Sequence, residues 1–138
     1  MNFEFDSLDE ESIGRYKRFL YQQIANAIYL PYRQVNVNGQ SPQPNNCHWN
    51  AQTYEDENQG VECTRGWLVV DGGDLSLEII LLAHSVVREA DGNLYEITPI
   101  QSCEPRPFLA SHLTEENFTL LHQYLATSQN DVRLVILK

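Results

Sequence analysis

Basic residues are scarce. Nine Lys and Arg stand against nineteen Asp and Glu, a formal net charge of -10. Phosphate binding needs a basic face, so this balance argues against nucleic acid as a partner and against an anionic membrane surface. It leaves room for a basic substrate, a basic partner protein, or charge that serves only solubility. Long apolar runs are missing too. The longest, Ile79 to Ala83, is far too short to span a bilayer. The opening Met-Asn-Phe-Glu-Phe-Asp is acidic and lacks the basic-then-apolar pattern of a secretion signal. Cysteines number three, Cys47, Cys63 and Cys103, and cannot all pair within one chain. Together these features imply free thiols in a reducing cytoplasm. No Cys-x-x-Cys or His-x-x-x-His spacing is present. A zinc site drawn from Cys47, His48, Cys63 and His84 therefore has no support from ligand spacing, and no metal or organic cofactor is expected.

What is present is ordinary globular composition, 42% hydrophobic and 20% charged, in a length that can bury a core without disulfide staples. The chain reads as one domain over residues 1–138, helical to about residue 60 and strand-rich beyond, with one late helix. Ile13, Tyr16, Phe19, Leu20, Ile24, Ala27 and Ile28 recur at three- and four-residue steps and predict a helix over 8–30. Ser7 and Asp9 suit its cap, and Pro31 ends it. Residues 31–46 form a long loop rich in Pro, Asn and Gln, a kind of loop that is often functional. A second helix is predicted over 47–58, capped by Asn45 or Asn46 and closed by Gly60.

From Val61 the pattern changes to strands at 61–70, 75–87 and 94–100, with turns at 71–74 and at Asp91-Gly92. Thr114 opens a helix bearing Phe118, Leu121 and Leu125 on one side, and 131–137 is a final apolar strand. Strands gathered together with helices to one side indicate an α+β fold, helices packed on a small antiparallel sheet.

Cys47 falls in the first turn of the second helix. The thiolate is the reactive form of cysteine, and a helix N-terminus favours negative charge. Its free backbone N–H groups can also hold an oxyanion during acyl transfer. A nucleophile of this kind needs a base held on a rigid element. His84 sits in the apolar segment Leu82–Val87, on one strand face with Val86. A three-residue loop Ala90-Asp91-Gly92 pairs Glu89 with Asn93 and Val86 with Glu96. It makes His84 and Glu96 diagonal neighbours, roughly 7 Å apart between backbones. A two-residue loop at Asp91-Gly92 instead turns Glu96 to the opposite face.

A helix-start Cys, then a strand His, then a strand carboxylate before Thr-Pro resembles papain-like cysteine hydrolases of the transglutaminase-like and NlpC-like kinds, over about residues 45–99. The matching segments are Asn46-Cys47-His48, His84-Ser85-Val86-Val87, Asp91-Gly92 and Glu96-Ile97-Thr98-Pro99. The resemblance implies a papain-like core, with Cys47 as nucleophile, His84 as base and Glu96 as orienting acid. Glu stands where Asp is usual, and the His-to-acid spacing is shorter. Cys47-His48-Trp49-Asn50 and Gly66-Trp67 are also similar to a bacterial protein group with a Cys-His-x-Asn, Gly-Trp, His and Asp-Gly arrangement.

Three further residues are candidates for substrate contact. Asn50 lies nearly on the helix face of Cys47. Trp67 suits a cleft wall or core packing on the neighbouring strand. Thr98 suits the site or the orientation of His84. His48 is expected on the surface, and Cys63 and Cys103 as inert thiols. The expected activity is a cysteine hydrolase or acyltransferase acting on the amide-type bond of a peptide or small amide. The alternative is an acidic binding, adaptor or inhibitor protein on the same fold. That reading predicts a partner protein and no acidified thiol.

Overall fold

Helix α1 spans Glu10–Gln23. Asp9 caps it, with a carboxylate oxygen accepting from the Ser12 N–H at 2.8 Å, and Glu10 and Glu11 lie at the positive end of its dipole. The computed structural model describes residues 2–99, 105–128 and 132–138. Helix α2 spans Cys47–Glu57 and α3 spans Glu115–Ser128. Thr114 caps α3 by accepting from the Asn117 N–H. The strands are β1 (Glu62–Asp71), β2 (Glu78–Arg88), β3 (Leu94–Tyr95), β4 (Phe108–Ala110) and β5 (Arg133–Leu137). All strand pairings are antiparallel, so the fold is α+β.

Strands β1 and β2 pair along their whole length, from Glu62 opposite Arg88 to Asp71 opposite Ile79. The other edge of β2 is shared. β5 covers Glu78–Leu82, and β3 covers Val87 and Arg88. Residues 84–86 therefore lie between two strand ends, on a stretch of edge that neither partner occupies. The odd-numbered residues of β1 and β2 face the helices. Trp67, Val69, Ile79 and Leu81 pack with Ile13, Tyr16 and Leu20 of α1, Phe118, Leu121 and Leu125 of α3, and Leu134 and Ile136 of β5. A second cluster on the same face joins Ala51 of α2 to Val37, Val87 and Ile97. Each such fully buried side chain contributes about 1.5–3 kcal/mol.

Several boundaries differ from the sequence reading. The first helix stops at Gln23, gives one 3-10 turn at Ile24–Asn26, and extends at Ala27. Propensity loses here to distant backbone partners. Ile28 exchanges hydrogen bonds with Phe108 on β4, and Pro31 and Arg33 bond both sides of Glu96. Pro31 also pushes its predecessor toward extended backbone. The same competition shortens the strand predicted over 94–100. It leaves β2 after Tyr95, because Glu96 takes Tyr32 as its bridge partner. The strand predicted from residue 75 begins at Glu78. β4 was not expected at all, being three residues between a proline and a polar stretch. Cys103, together with Ile100 and Asp131 at predicted strand ends, lies outside the described residues.

The segment 28–33 thus runs from the edge of β4 to Glu96. It closes the curl of the sheet on the face opposite the main core. Gly66 makes that curl possible. A Cβ there would fall 2.6 Å from the Phe108 ring and closer still to the Leu109 carbonyl. Only glycine lets β4 cross β1 so closely.

Candidate active site

The chain enters α2 through Asn45, which holds a left-handed φ of 61°. Asparagine tolerates that conformation better than most residues. Asn46 stands at the cap position, and its side chain makes no capping bond, so it does not compete for the first-turn amides. α2 packs on β1 and β2 through Ala51, and this directs its first turn at residues 84–86.

Cys47 and His84 line one cleft there. Burial alone would push the thiol up. Hydrogen bonding and electrostatic attraction from His48 and His84 outweigh it and bring the thiol down to about 6. His84 moves the other way. Burial would lower it, but bonds to Cys47 and to Glu96 raise it to about 9. Between these values the favoured state is a thiolate beside an imidazolium. Cys63 is the internal contrast, since burial pushes its thiol up to about 12.

The hairpin places Glu96. Gly92 is left-handed at φ 85°, its N–H donates to the Glu89 carbonyl, and the Glu89 N–H donates to the Asn93 carbonyl. This is the three-residue loop, with Val87 opposite Tyr95 and Arg88 opposite Leu94. Glu96 accordingly lies on the His84 face, and its Oε2 meets His84 Nε2 at 2.5 Å. With Nε2 engaged, Nδ1 is the ring nitrogen left for Cys47. The second carboxyl oxygen accepts from the Thr98 N–H at 3.0 Å. Both oxygens are thereby held, in a residue that is itself buried.

Asn50 completes a ring of support. It is fully buried, and its Nδ2 donates to Thr98 Oγ1 at 3.0 Å and to the Gln43 carbonyl at 2.9 Å. The helix that carries Cys47 is so tied to the segment that carries Glu96. Substrate contact by Asn50 is corrected on this ground: it braces the site from behind. Trp67 is corrected as well. It points to the helix face, 1% exposed, and its Nε1 donates to the Tyr16 hydroxyl at 3.0 Å. Alternation along β1 turns it away from the site, while its neighbour Gly66 sits opposite His84. Thr98 borders the cleft.

His48 is not a surface residue. It is half-buried beside Cys47, and its Nδ1 lies 2.5 Å from Ser85 Oγ. Arg65 Nη1 donates to the same hydroxyl at 2.9 Å, and Arg65 is paired in turn with Glu115 at 3.0 Å. The signal for this group was Ser85, a hydroxyl inside an apolar strand. Buried hydroxyls demand partners. Nothing in the spacing names His48 and Arg65 as those partners.

A cleft of about 520 Å³ opens over the sulfur and the imidazole. Its walls are largely apolar, with Leu68, Leu82 and Phe108 from the sheet and Tyr29 and Leu30 from the closing segment. Among the described residues, no group of three or more His, Cys, Asp or Glu side chains is arranged to hold a metal ion. Among them also, no helix is long and apolar enough to cross a membrane. No family model, curated protein or solved structure matches the chain.

Proposed function

We propose that this protein is a papain-like cysteine hydrolase or acyltransferase acting on an amide-type bond. The observation that carries the reading is the line Cys47–His84–Glu96 at the floor of an apolar cleft. The Cys47 thiolate attacks the carbonyl carbon, a C–S bond forms, and the carbonyl π electrons move to oxygen. The Cys47 backbone N–H donates to that oxyanion. Collapse of the tetrahedral species breaks the C–N bond as His84 gives its Nδ1 proton to the leaving amine. Water, or an acceptor nucleophile in transfer, then attacks the thioester while His84 takes its proton. The acyl product leaves and the thiolate returns. Glu96 holds the imidazole in the tautomer that faces sulfur, as the third member of such triads does.

The cleft walls favour an apolar acyl group, in a peptide or a small amide. The acidic charge of the chain disfavours a phosphate-rich substrate. An acidified Cys47 and an unpaired Cys63 fit a reducing compartment such as the cytoplasm.

A panel of fluorogenic amides with acyl groups from acetyl to leucyl and octanoyl tests the reading. Turnover by the wild type that is absent in Cys47→Ala and falls at least about a hundredfold in His84→Ala is expected. Turnover that survives Cys47→Ala overturns it. A wild type whose Cys47 alkylates no faster than Cys63 at pH 7 overturns it without recourse to any substrate.

A further inference from the structure

A second imidazole borders the cleft beside Cys47, and the proposed mechanism does not use it. His48 follows Cys47 directly on α2 and borders the same cleft. Both His48 and His84 act to lower the thiol. The surroundings of His48 come from four elements. α2 itself contributes Cys47. β2 contributes Ser85 and His84, and β1 contributes Arg65. α3 contributes Phe118, His122 and, through Arg65, Glu115. The His122 ring stands edge-on to His48 with centroids 5.1 Å apart, and the Phe118 ring lies at 6.1 Å.

The hydrogen bonds around Ser85 are compatible with the one tautomer of His48 that can serve the sulfur. Arg65 has donors only, so the Ser85 oxygen accepts from it. The Ser85 proton is then free to point at His48 Nδ1, 2.5 Å away. Nδ1 acting as acceptor puts the ring proton on Nε2. That leaves Nε2–H as the donor to sulfur.

We infer that His48 is a second catalytic imidazole, which donates Nε2–H to the Cys47 thiolate in a tautomer that Ser85 and Arg65 hold in place. The inference rests on Cys47 being the nucleophile. The two rings then divide the work. His84 gives up its proton to the leaving group in each cycle, and at that moment it ceases to support a thiolate. His48 is asked for no proton transfer. It holds the sulfur's charge before attack and again when the thioester breaks. On this inference His48 is a catalytic residue, because its Nε2–H meets the reacting atom. Ser85 and Arg65 are positioning residues that act through it.

The test is the pH dependence of iodoacetamide labelling at Cys47, resolved by peptide mass spectrometry, with Cys63 as the internal reference. His48→Phe keeps a ring against Phe118 and removes both nitrogens. His48→Gln restores an N–H donor without a titratable ring. Ser85→Ala removes the hydroxyl that orients His48. The expected result is a wild-type midpoint near 6 that rises by at least about one pH unit in His48→Phe. Labelling at pH 6 then slows by at least about fivefold, since the thiolate fraction there falls from about one half to about one tenth. In His48→Gln the midpoint moves part of the way back, and in Ser85→Ala it rises by less than in His48→Phe.

A midpoint that does not move in His48→Phe while it rises in His84→Ala overturns the second imidazole and leaves the Cys–His hydrolase standing. A rise in His48→Phe with no recovery in His48→Gln, and none of it seen in Ser85→Ala, assigns the ring a packing role and overturns the donor. A wild-type midpoint like that of Cys63 removes the nucleophile, and both readings fall together.

Discussion

The carboxyl of Glu96 grips His84 through one oxygen and the Thr98 backbone through the other. Its effect on the imidazole is to raise it, by hydrogen bond and by charge. The sign of the pH response follows. Amide turnover needs the thiolate, so it rises through about pH 6. It also needs a proton on His84 for the leaving amine, so it falls through about pH 9. Glu96→Gln removes the charge that supports imidazolium and keeps the size. The alkaline limb then moves to lower pH. Histidine NMR titration of Cys47-intact protein measures the same shift with no substrate present, and an unmoved His84 resonance in Glu96→Gln would sink the assignment of Glu96 as its partner. At this scale Asn50 is instructive. It matched the helix face of the nucleophile, yet a 0% exposed amide can only brace what others contact.

Among the elements, β4 is the least conspicuous and among the most consequential. Three residues pair with Gly66, Trp67 and Leu68, and they receive Ile28 on their other edge. They set Phe108 in the cleft wall, with its ring centroid 6.4 Å from that of His84. Gly66→Ala drives a methyl into Leu109 backbone and the Phe108 ring. Overpacking of this kind costs about 1–3 kcal/mol. Urea unfolding of Gly66→Ala checks the magnitude, and faster hydrogen exchange at the Leu109 and Ala110 amides checks the place. The segment 28–33 follows the same logic. Periodicity assigns its first half, 28–30, to a helix, but the segment's backbone bonds to β4 and Glu96 instead, and Tyr29 and Leu30 become cleft walls.

Across the whole molecule the sheet separates two functions. One face carries the core of α1, α3 and β5, and the other carries the cleft. A change in the α1 part of that core, away from Phe118 and His48, should therefore cost stability without touching the thiol. Tyr16 is the test. Its hydroxyl donates to the Ser111 carbonyl at 2.6 Å and accepts from Trp67 Nε1 at 3.0 Å. Tyr16→Phe leaves a buried donor and a buried acceptor unmatched, at a cost of about 1–3 kcal/mol. A lower urea midpoint with an unchanged pH midpoint for Cys47 labelling is the expected pair of results. A shifted labelling midpoint would mean that the two faces are coupled through β1 and β2.

Local rules were enough for the elements whose causes are local. Asp9 before the first apolar stripe, Thr114 before Glu115, and the left-handed Gly92 in a three-residue loop are choices made within a few bonds, and they are readable in order along the chain. That loop also carried His84 and Glu96 to one face, because strand alternation leaves no freedom once the turn is chosen. Tertiary structure decided whatever depends on a distant backbone or an unmatched polar group. Ile28 left its helix for Phe108, and Glu96 left β3 for Tyr32. Trp67 turned to the core while Gly66 took the site, and His48 was drawn inward by a hydroxyl 37 residues away. The physical reason is the same in each case. A buried N–H, C=O or O–H must find a partner, and which partner is near enough is a property of the folded chain alone.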